Sequence, residues 1–429
     1  MTTPVAAQRD LRTRGTSVAF LGTMLEFYDF FIFGAAGATV FPELFFPSFG
    51  RTGSVALTMV AYGIGYVDRP LGAFLFRRFG RGRSDARLLV AATALVGVST
   101  TAIGVLPTHA GAGGVAGALL ILMRGLQGIG LGGEWGRATL AMADRADTTH
   151  QGLTASVVQL ASPCGLLAGN AVFAVAAAAA PGPAYLSWGW RLPFLVSGVL
   201  ITAVLLVRLR LLRAMGDTGA TPEVDMLGFC RLHWRQLLIA IGVRTGSDAA
   251  FYVLALYVLG YVTRHLELPR SVGFTAVIVG AIAEIVGIPL FAAVATRVPR
   301  KWIVAFGAAA SAGWVFAYFR LVDTRVDLLV YVASAVGVFL NSAMWSPARV
   351  FVPELFPPGV RYAGTGLGFQ LAAVLGGGIT PLVSVLLLAR FGTGTAVATY
   401  IAVTLAVSTV AAVMARTTPR PDPVEQPVA

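Results

Sequence analysis

The chain has little charge. Only 12% of its 429 residues are Asp, Glu, Lys or Arg, about half the usual share in a soluble domain. Too few polar side chains are present to cover a water-facing surface, which excludes an ordinary soluble enzyme or binding domain. Lysine is scarcer still, since Lys301 stands alone among 32 basic residues. The net charge of +12 therefore comes from arginines spread through short gaps between apolar runs. That distribution suits membrane topology and speaks against a nucleic-acid partner. There are two cysteines, Cys164 in an apolar run and Cys230 in a basic segment, so no disulfide is expected. The histidines (His109, His150, His233, His265) form no metal-ligand spacing with them. The sequence has no G-x-S-x-G elbow, H-E-x-x-H pair or P-loop, which speaks against catalysis and against ATP as the energy source. No cofactor is expected. No small-residue cleavage site follows a short apolar core near the N-terminus, so the first apolar run is expected to stay as an anchor.

Apolar sequence is what the chain has in abundance: 56% of positions are hydrophobic. A bilayer core of roughly 30 Å needs about 20 helical residues per crossing. Twelve runs qualify, at 17–41, 55–76, 88–106, 114–143, 151–180, 191–212, 236–262, 272–295, 301–320, 327–346, 361–389 and 394–415. The expected fold is an all-α integral membrane protein with twelve transmembrane helices in two pseudo-symmetric six-helix bundles. Its parts are a tail (1–16), an N-terminal bundle (17–212), a central linker (213–235), a C-terminal bundle (236–415) and a second tail (416–429). With both termini cytoplasmic, 21 basic residues fall on the cytoplasmic side and 6 on the other. The positive-inside rule selects that orientation in the cell membrane. A short internal echo supports the repeat. Gln159-Leu160-Ala161 with Gly165 recurs as Gln370-Leu371-Ala372 with Gly376, 211 residues later.

Ionisable residues at membrane depth are expensive, on the order of 3 kcal/mol each, and call for a reason. Glu26 and Asp29 lie about 60° apart on the first helix and share a face. They either line a wet cavity and take up protons or form a structural pair with an arginine. Arg124, Gln127, Leu131 and Glu134 share a face of the fourth helix, and Glu26 or Asp29 is the expected partner of Arg124. Glycines between them permit close helix approach. The G-x-G-x-x-G formed by Gly128, Gly130 and Gly133 lies inside a helix, where a dinucleotide fingerprint cannot work. Asp68 and Arg69 form a candidate internal pair beside Pro70, and Arg244 and Asp248 a local pair at i, i+4. Glu284 has no local cation and is a candidate for titration or an interhelical contact. Gln159 and Gln370 are either packing glue or ligands.

Several segments together resemble the major facilitator superfamily, and within it the metabolite:proton symporters, which include shikimate, α-ketoglutarate, citrate and proline/betaine carriers. They are Glu26-Phe27-Tyr28-Asp29-Phe30, Arg69-Pro70-Leu71-Gly72-Ala73, Arg124-Gly125-Leu126-Gln127-Gly128, Gly132-Gly133-Glu134-Trp135-Gly136, Gly189-Trp190-Arg191-Leu192-Pro193-Phe194 and Gln370 to Gly378. The resemblance implies alternating access and loops that gate the cytoplasmic side. Those loops depart from the family pattern. Arg77 and Arg81 stand where a glycine and an aspartate are usual, in a loop whose one acid is Asp85. In the second half, Ala292 and Thr296 take the same two places, followed by Arg297 and Arg300. Ser247-Asp248 stands where relatives tend to have Glu-Asn, and Arg137 ends the Gly-Gly-Glu-Trp stretch.

Three readings follow. The first is a secondary transporter, monomeric among membrane lipids, that takes up a small organic acid or zwitterionic metabolite on the proton gradient. The second is an exporter working by proton antiport. The third is a membrane sensor or scaffold with degenerate gates.

Overall fold

In the computed structural model the backbone is described for residues 4–79, 85–143, 158–215 and 226–416, and side chains within these except at 4–19, 77, 85–86, 134–143, 208, 210–215, 226–227 and 362. Twelve long helices account for nearly all of it. They are α1 (Pro4–Thr39), α2 (Gly50–Phe79), α3 (Asp85–Val105), α4 (Gly114–Ala143), α5 (Ala161–Ala179), α6 (Leu192–Met215), α7 (from Met226–Tyr252 on to His265), α8 (Arg270–Val294), α9 (Arg300–Asp323), α10 (Asp327–Phe351), α11 (Arg361–Ala373 continuing to Phe391) and α12 (Gly394–Met414). Among the described residues, ten helices are long and apolar enough to cross a bilayer by length and composition alone. The first two fall short of that measure. The reason is visible in α2, which carries Arg51, Asp68, Arg69 and Arg78. Of these Arg69 is buried inside the protein, while Arg51 and Arg78, towards the two ends of the helix, are exposed.

The packing repeats at an offset of six helices. In the first half α2 packs on α4, α3 on α4 and α6, and α1 on α5 and α6; in the second, α8 packs on α10, α9 on α10 and α12, and α7 on α11 and α12. The echoed glycines show why the sequence repeats. A Cβ at Gly165 would lie 2.6 Å from the Met24 carbonyl oxygen of α1, and one at Gly376 would lie 2.5 Å from that of Thr245 on α7. Each glycine lets its helix touch the backbone of the matching partner, so α5 relates to α1 as α11 does to α7. The halves meet through α1 with α7, α2 with α11, and α5 with α8. One continuous apolar core joins them, from Tyr28 and Phe33 to Phe251 and Leu405.

Three helix boundaries differ from those expected of the sequence. Helix α1 begins at Pro4, within the expected tail. Within the expected linker 213–235, the described residues 213–215 and 226–235 are helical, as the end of α6 and the start of α7. Its Phe229 is buried against Phe356, which packs the start of α7 against the second bundle. Helix α10 runs past Pro347 to Phe351, which takes Arg349 into the helix. Two helices also contain π-helical turns, at Val253–Tyr257 and Tyr261–His265 in α7 and at Val374–Ile379 in α11. Such turns carry an extra residue and concentrate at functional sites.

Candidate functional site

Polar side chains at membrane depth are buried in both halves. Asp29, Arg69, Arg124, Gln127, Gln159, Arg244, Asp248, Glu284 and Gln370 are all buried. In the first half they form a hydrogen-bonded chain. Arg124 donates to Oε1 of Gln127. The Gln127 amide donates to the Thr100 hydroxyl at 2.8 Å, and Thr100 lies 3.2 Å from Oδ2 of Asp29. Ser197 donates to the other carboxylate oxygen of Asp29. The expected direct pairing of Arg124 with Glu26 or Asp29 is thus replaced by a relay. The spacing explains it: Gln127 is one turn from Arg124 on the same face, close enough to take the guanidinium first.

Arg124 is fully buried, and its Nε and one terminal nitrogen have no hydrogen-bond partner among the described residues. Aromatic faces surround it instead, with Phe33, Phe30 and Tyr62 centred 4.3, 4.8 and 5.2 Å from the guanidinium carbon. The helix-packing glycines make room for this. A Cβ at Gly65 would collide with the Arg124 side chain, and one at Gly128 would lie 2.7 Å from the Gly65 carbonyl oxygen. Arg69 lies over Tyr66 at 4.5 Å and Phe30 at 5.5 Å. It does not pair with Asp68, which points towards Gly125 of α4. Neighbours in sequence are about 100° apart on a helix, so the two leave on different faces.

The second half is arranged differently. Arg244 holds Asp248 at 2.9 Å and lies over Trp345 at 3.7 Å. Ser247 donates to Asn341 at 3.2 Å. Arg349 of α10, which the sequence did not single out, comes within electrostatic reach of Glu26, Arg244 and Asp248. Glu284 faces the α5–α8 contact, with Cys164 and Arg244 in electrostatic range. Gln159 ties α5 to α10 across the halves through the Ser346 carbonyl at 2.8 Å. Gln370 is buried on α11.

Four rings meet where the halves join: Phe30, Tyr62 and Tyr66 from the first and Tyr252 from the second, with centroids 4.8 to 5.9 Å apart. Nothing in the sequence marks them, because an aromatic residue in an apolar helix carries no sign of which face it occupies. Glu26 and Asp29 also share the wall of a cavity of about 20 Å³ with Thr93 and Leu131. That is room for one water molecule. The expected common face of the two acids is therefore present.

Of the expected gate residues, Arg81 lies outside the described residues and the side chains of Arg77 and Asp85 lie outside the described side chains, as does that of Glu134, expected in the solute and proton pathway. Thr296 folds back on the Ala293 carbonyl and Arg297 is exposed. Arg300 pairs with Glu354 at 2.9 Å, linking the start of α9 to the segment after α10. An acid from another loop thus stands beside the basic run that lacks its usual aspartate.

Twelve helices in two matched bundles, with buried charges on the helices of each, define a membrane transporter. The chain belongs to the major facilitator superfamily. The sugar (and other) transporter family profile matches residues 15–212. The chain is 30% identical to the inner membrane metabolite transport protein YhjE of Escherichia coli over 401 residues, 91% of each chain. It is 28% identical to the shikimate transporter of Escherichia coli, covering 89% of this chain and 90% of that one. With the ectoine/proline transporter ProP of Corynebacterium glutamicum it shares 27% identity over 90% of this chain and 80% of that one. Among solved structures, a D-xylose–proton symporter superposes with a TM-score of 0.72 at 18% identity, covering 93% of this chain and 95% of that one. At that identity the likeness speaks for the fold.

Proposed function

We propose that this protein takes up a small organic acid or zwitterionic metabolite by proton symport, with both termini in the cytoplasm and one chain as the working unit. Membrane lipid is its other partner, and no chemical step is catalysed. The observation that carries the reading is the buried relay Asp29–Thr100–Gln127–Arg124. An acid and a base at opposite ends of a hydrogen-bonded chain sense each other's charge although they do not touch, because a low-dielectric interior screens weakly. Loading a proton onto Asp29 removes its negative charge and leaves Arg124 without a counter-charge, ready for an anionic group on the solute. Solute and proton are then held together or not at all, which is the requirement for symport. Arg69 and the ring cluster supply the rest of the first-half wall, and Arg244, Asp248, Asn341 and Glu284 the second-half wall. The names of the relatives, shikimate and ectoine/proline transporters among them, support a small polar solute.

The test is accumulation in proteoliposomes. Radiolabelled shikimate and proline are supplied outside under an inward acid gradient. Symport requires one of them to be concentrated by the wild type, and Asp29→Asn to equilibrate that solute without concentrating it. Concentration by Asp29→Asn equal to wild type refutes Asp29 as the coupling group. Solute concentrated inside acid-loaded vesicles refutes symport in favour of proton antiport.

A further inference from the structure

The positive-inside rule keeps arginine away from the outer face. In the orientation proposed above, the outer face carries only six basic residues, Arg51, Arg264, Arg270, Arg320, Arg325 and Arg390. Three of them, Arg51, Arg264 and Arg270, line a single cavity of about 770 Å³ between the ends of α1 and α2 and the α7–α8 turn. Among the described residues Glu43 is the one acid on its wall. The volume suits a small solute, and the lining carries a surplus of two positive charges.

Arg264 does a second job there. It comes from the last π-helical turn of α7, in the second half of the protein, and crosses to the first. Its Nε donates to the Ala38 carbonyl at 2.8 Å and a terminal nitrogen to the Thr39 carbonyl at 3.2 Å. These are carbonyls of the last turn of α1, which have no partner inside the helix and sit at its negative end. Glu43 lies 3.5 Å from the same guanidinium. Arg51 returns the contact, donating from the first half to the Arg264 carbonyl. Arg270 reaches over Tyr185, also of the first half, at 5.7 Å. The outer edges of the two halves are clasped from both directions, and the clasp forms the cavity wall.

We propose that this vestibule is an outer binding site for small carboxylate anions, and that an anion held there releases the Arg264 clasp. Bonds from arginine to a neutral carbonyl are weaker than charge-assisted bonds to a carboxylate. Glu43, the present carboxylate, is half exposed and distant for an ion pair. An arriving carboxylate meets Arg51 and Arg270 at the wet end and draws Arg264 from the α1 carbonyls. Solute outside thereby favours the state that admits it.

The site is separable from the central one. Isothermal titration with succinate uses Arg124→Gln protein in lipid nanodiscs, so that central binding is weakened first. Succinate binding that survives there, and that falls at least tenfold on adding Arg51→Gln and Arg270→Gln, supports the outer site. Should Arg124→Gln fail to fold, loss of the weaker of two binding phases when Arg51→Gln and Arg270→Gln are made in the wild type supports it equally. Binding unchanged by these two substitutions overturns it. A spin pair at Ser48→Cys and Leu268→Cys reads the clasp. Succinate should lengthen that distance, and a constant distance with bound succinate overturns release. The inference rests on the proposed orientation, which a separate result addresses: an impermeant maleimide should label Ser48→Cys from outside intact cells, whatever the titration gives.

Discussion

Replacing Arg124 by lysine keeps the charge and removes the geometry, so it isolates what the guanidinium does. In the structure this group bonds Gln127 while lying across three rings at 4.3 to 5.2 Å. A desolvated cation over aromatic faces gains about 2 kcal/mol, and a hydrogen bond from a charged donor contributes about 1.5–3 kcal/mol. An ammonium is a compact point charge and cannot occupy both places at once. Losing either contact costs about 2 kcal/mol, and at 1.36 kcal/mol per decade that is about a 30-fold fall in rate. Initial uptake rates in proteoliposomes, for whichever of labelled shikimate and proline the wild type accumulates, measure it. The melting temperature should fall by only a few degrees, because a loss of about 2 kcal/mol is small against the unfolding entropy of so long a chain. Uptake within threefold of wild type would show that any cation serves and that the shape of the guanidinium does not matter.

Other expectations follow from particular contacts. Thr100→Val keeps the volume but cuts the relay in two; solute exchange at equal pH should persist while pH-driven accumulation falls, and equal loss of both would mark Thr100 as merely structural. Gly376→Ala should destabilise by about 1–3 kcal/mol through overpacking against α7, whereas Gly313→Ala, with open space around it, should stabilise by up to about 1 kcal/mol through helix propensity; thermal unfolding of the two variants in one detergent compares them. Glu354→Gln removes the partner of a partly exposed Arg300, a pair worth at most about 1 kcal/mol, so it should change the inward-to-outward ratio by no more than about fivefold in spin-pair distances across the cytoplasmic mouth. Arg81→Asp with Arg77→Gly restores the usual family residues and should shift the same distances towards the outward-open state; an unchanged distribution would mean that the gate is fastened elsewhere.

The bilayer makes the fold readable. Every crossing must be helical and apolar over a fixed length, so most helix ends lie within a few residues of the apolar runs. The exceptions lie where that constraint lapses. Residues 226–235 form helix that packs on the second bundle through Phe229, outside any apolar run, and Arg349 stands beyond the apolar run 327–346. The charged part of the site was legible for the same reason in reverse, since Asp29, Arg124 and Asp248 stand out against lipid-like sequence. Their partners did not. Thr100, Ser197 and Asn341 are small polar residues of a kind that membrane helices use everywhere for packing. Tyr252 meets Tyr62 and Tyr66 only because two halves far apart in sequence close on each other. Charge complementarity suggested an acid for Arg124, while local helical geometry supplied Gln127.

Proton movement evoked by solute tests the central claim most directly. A pH-sensitive dye trapped in proteoliposomes reports the lumen when solute is added outside with no pre-set gradient. Symport through Asp29 requires the lumen to acidify with the wild type and to stay constant with Asp29→Asn, although labelled solute still exchanges across the membrane. Acidification of equal size in Asp29→Asn, or alkalinisation with the wild type, would contradict it.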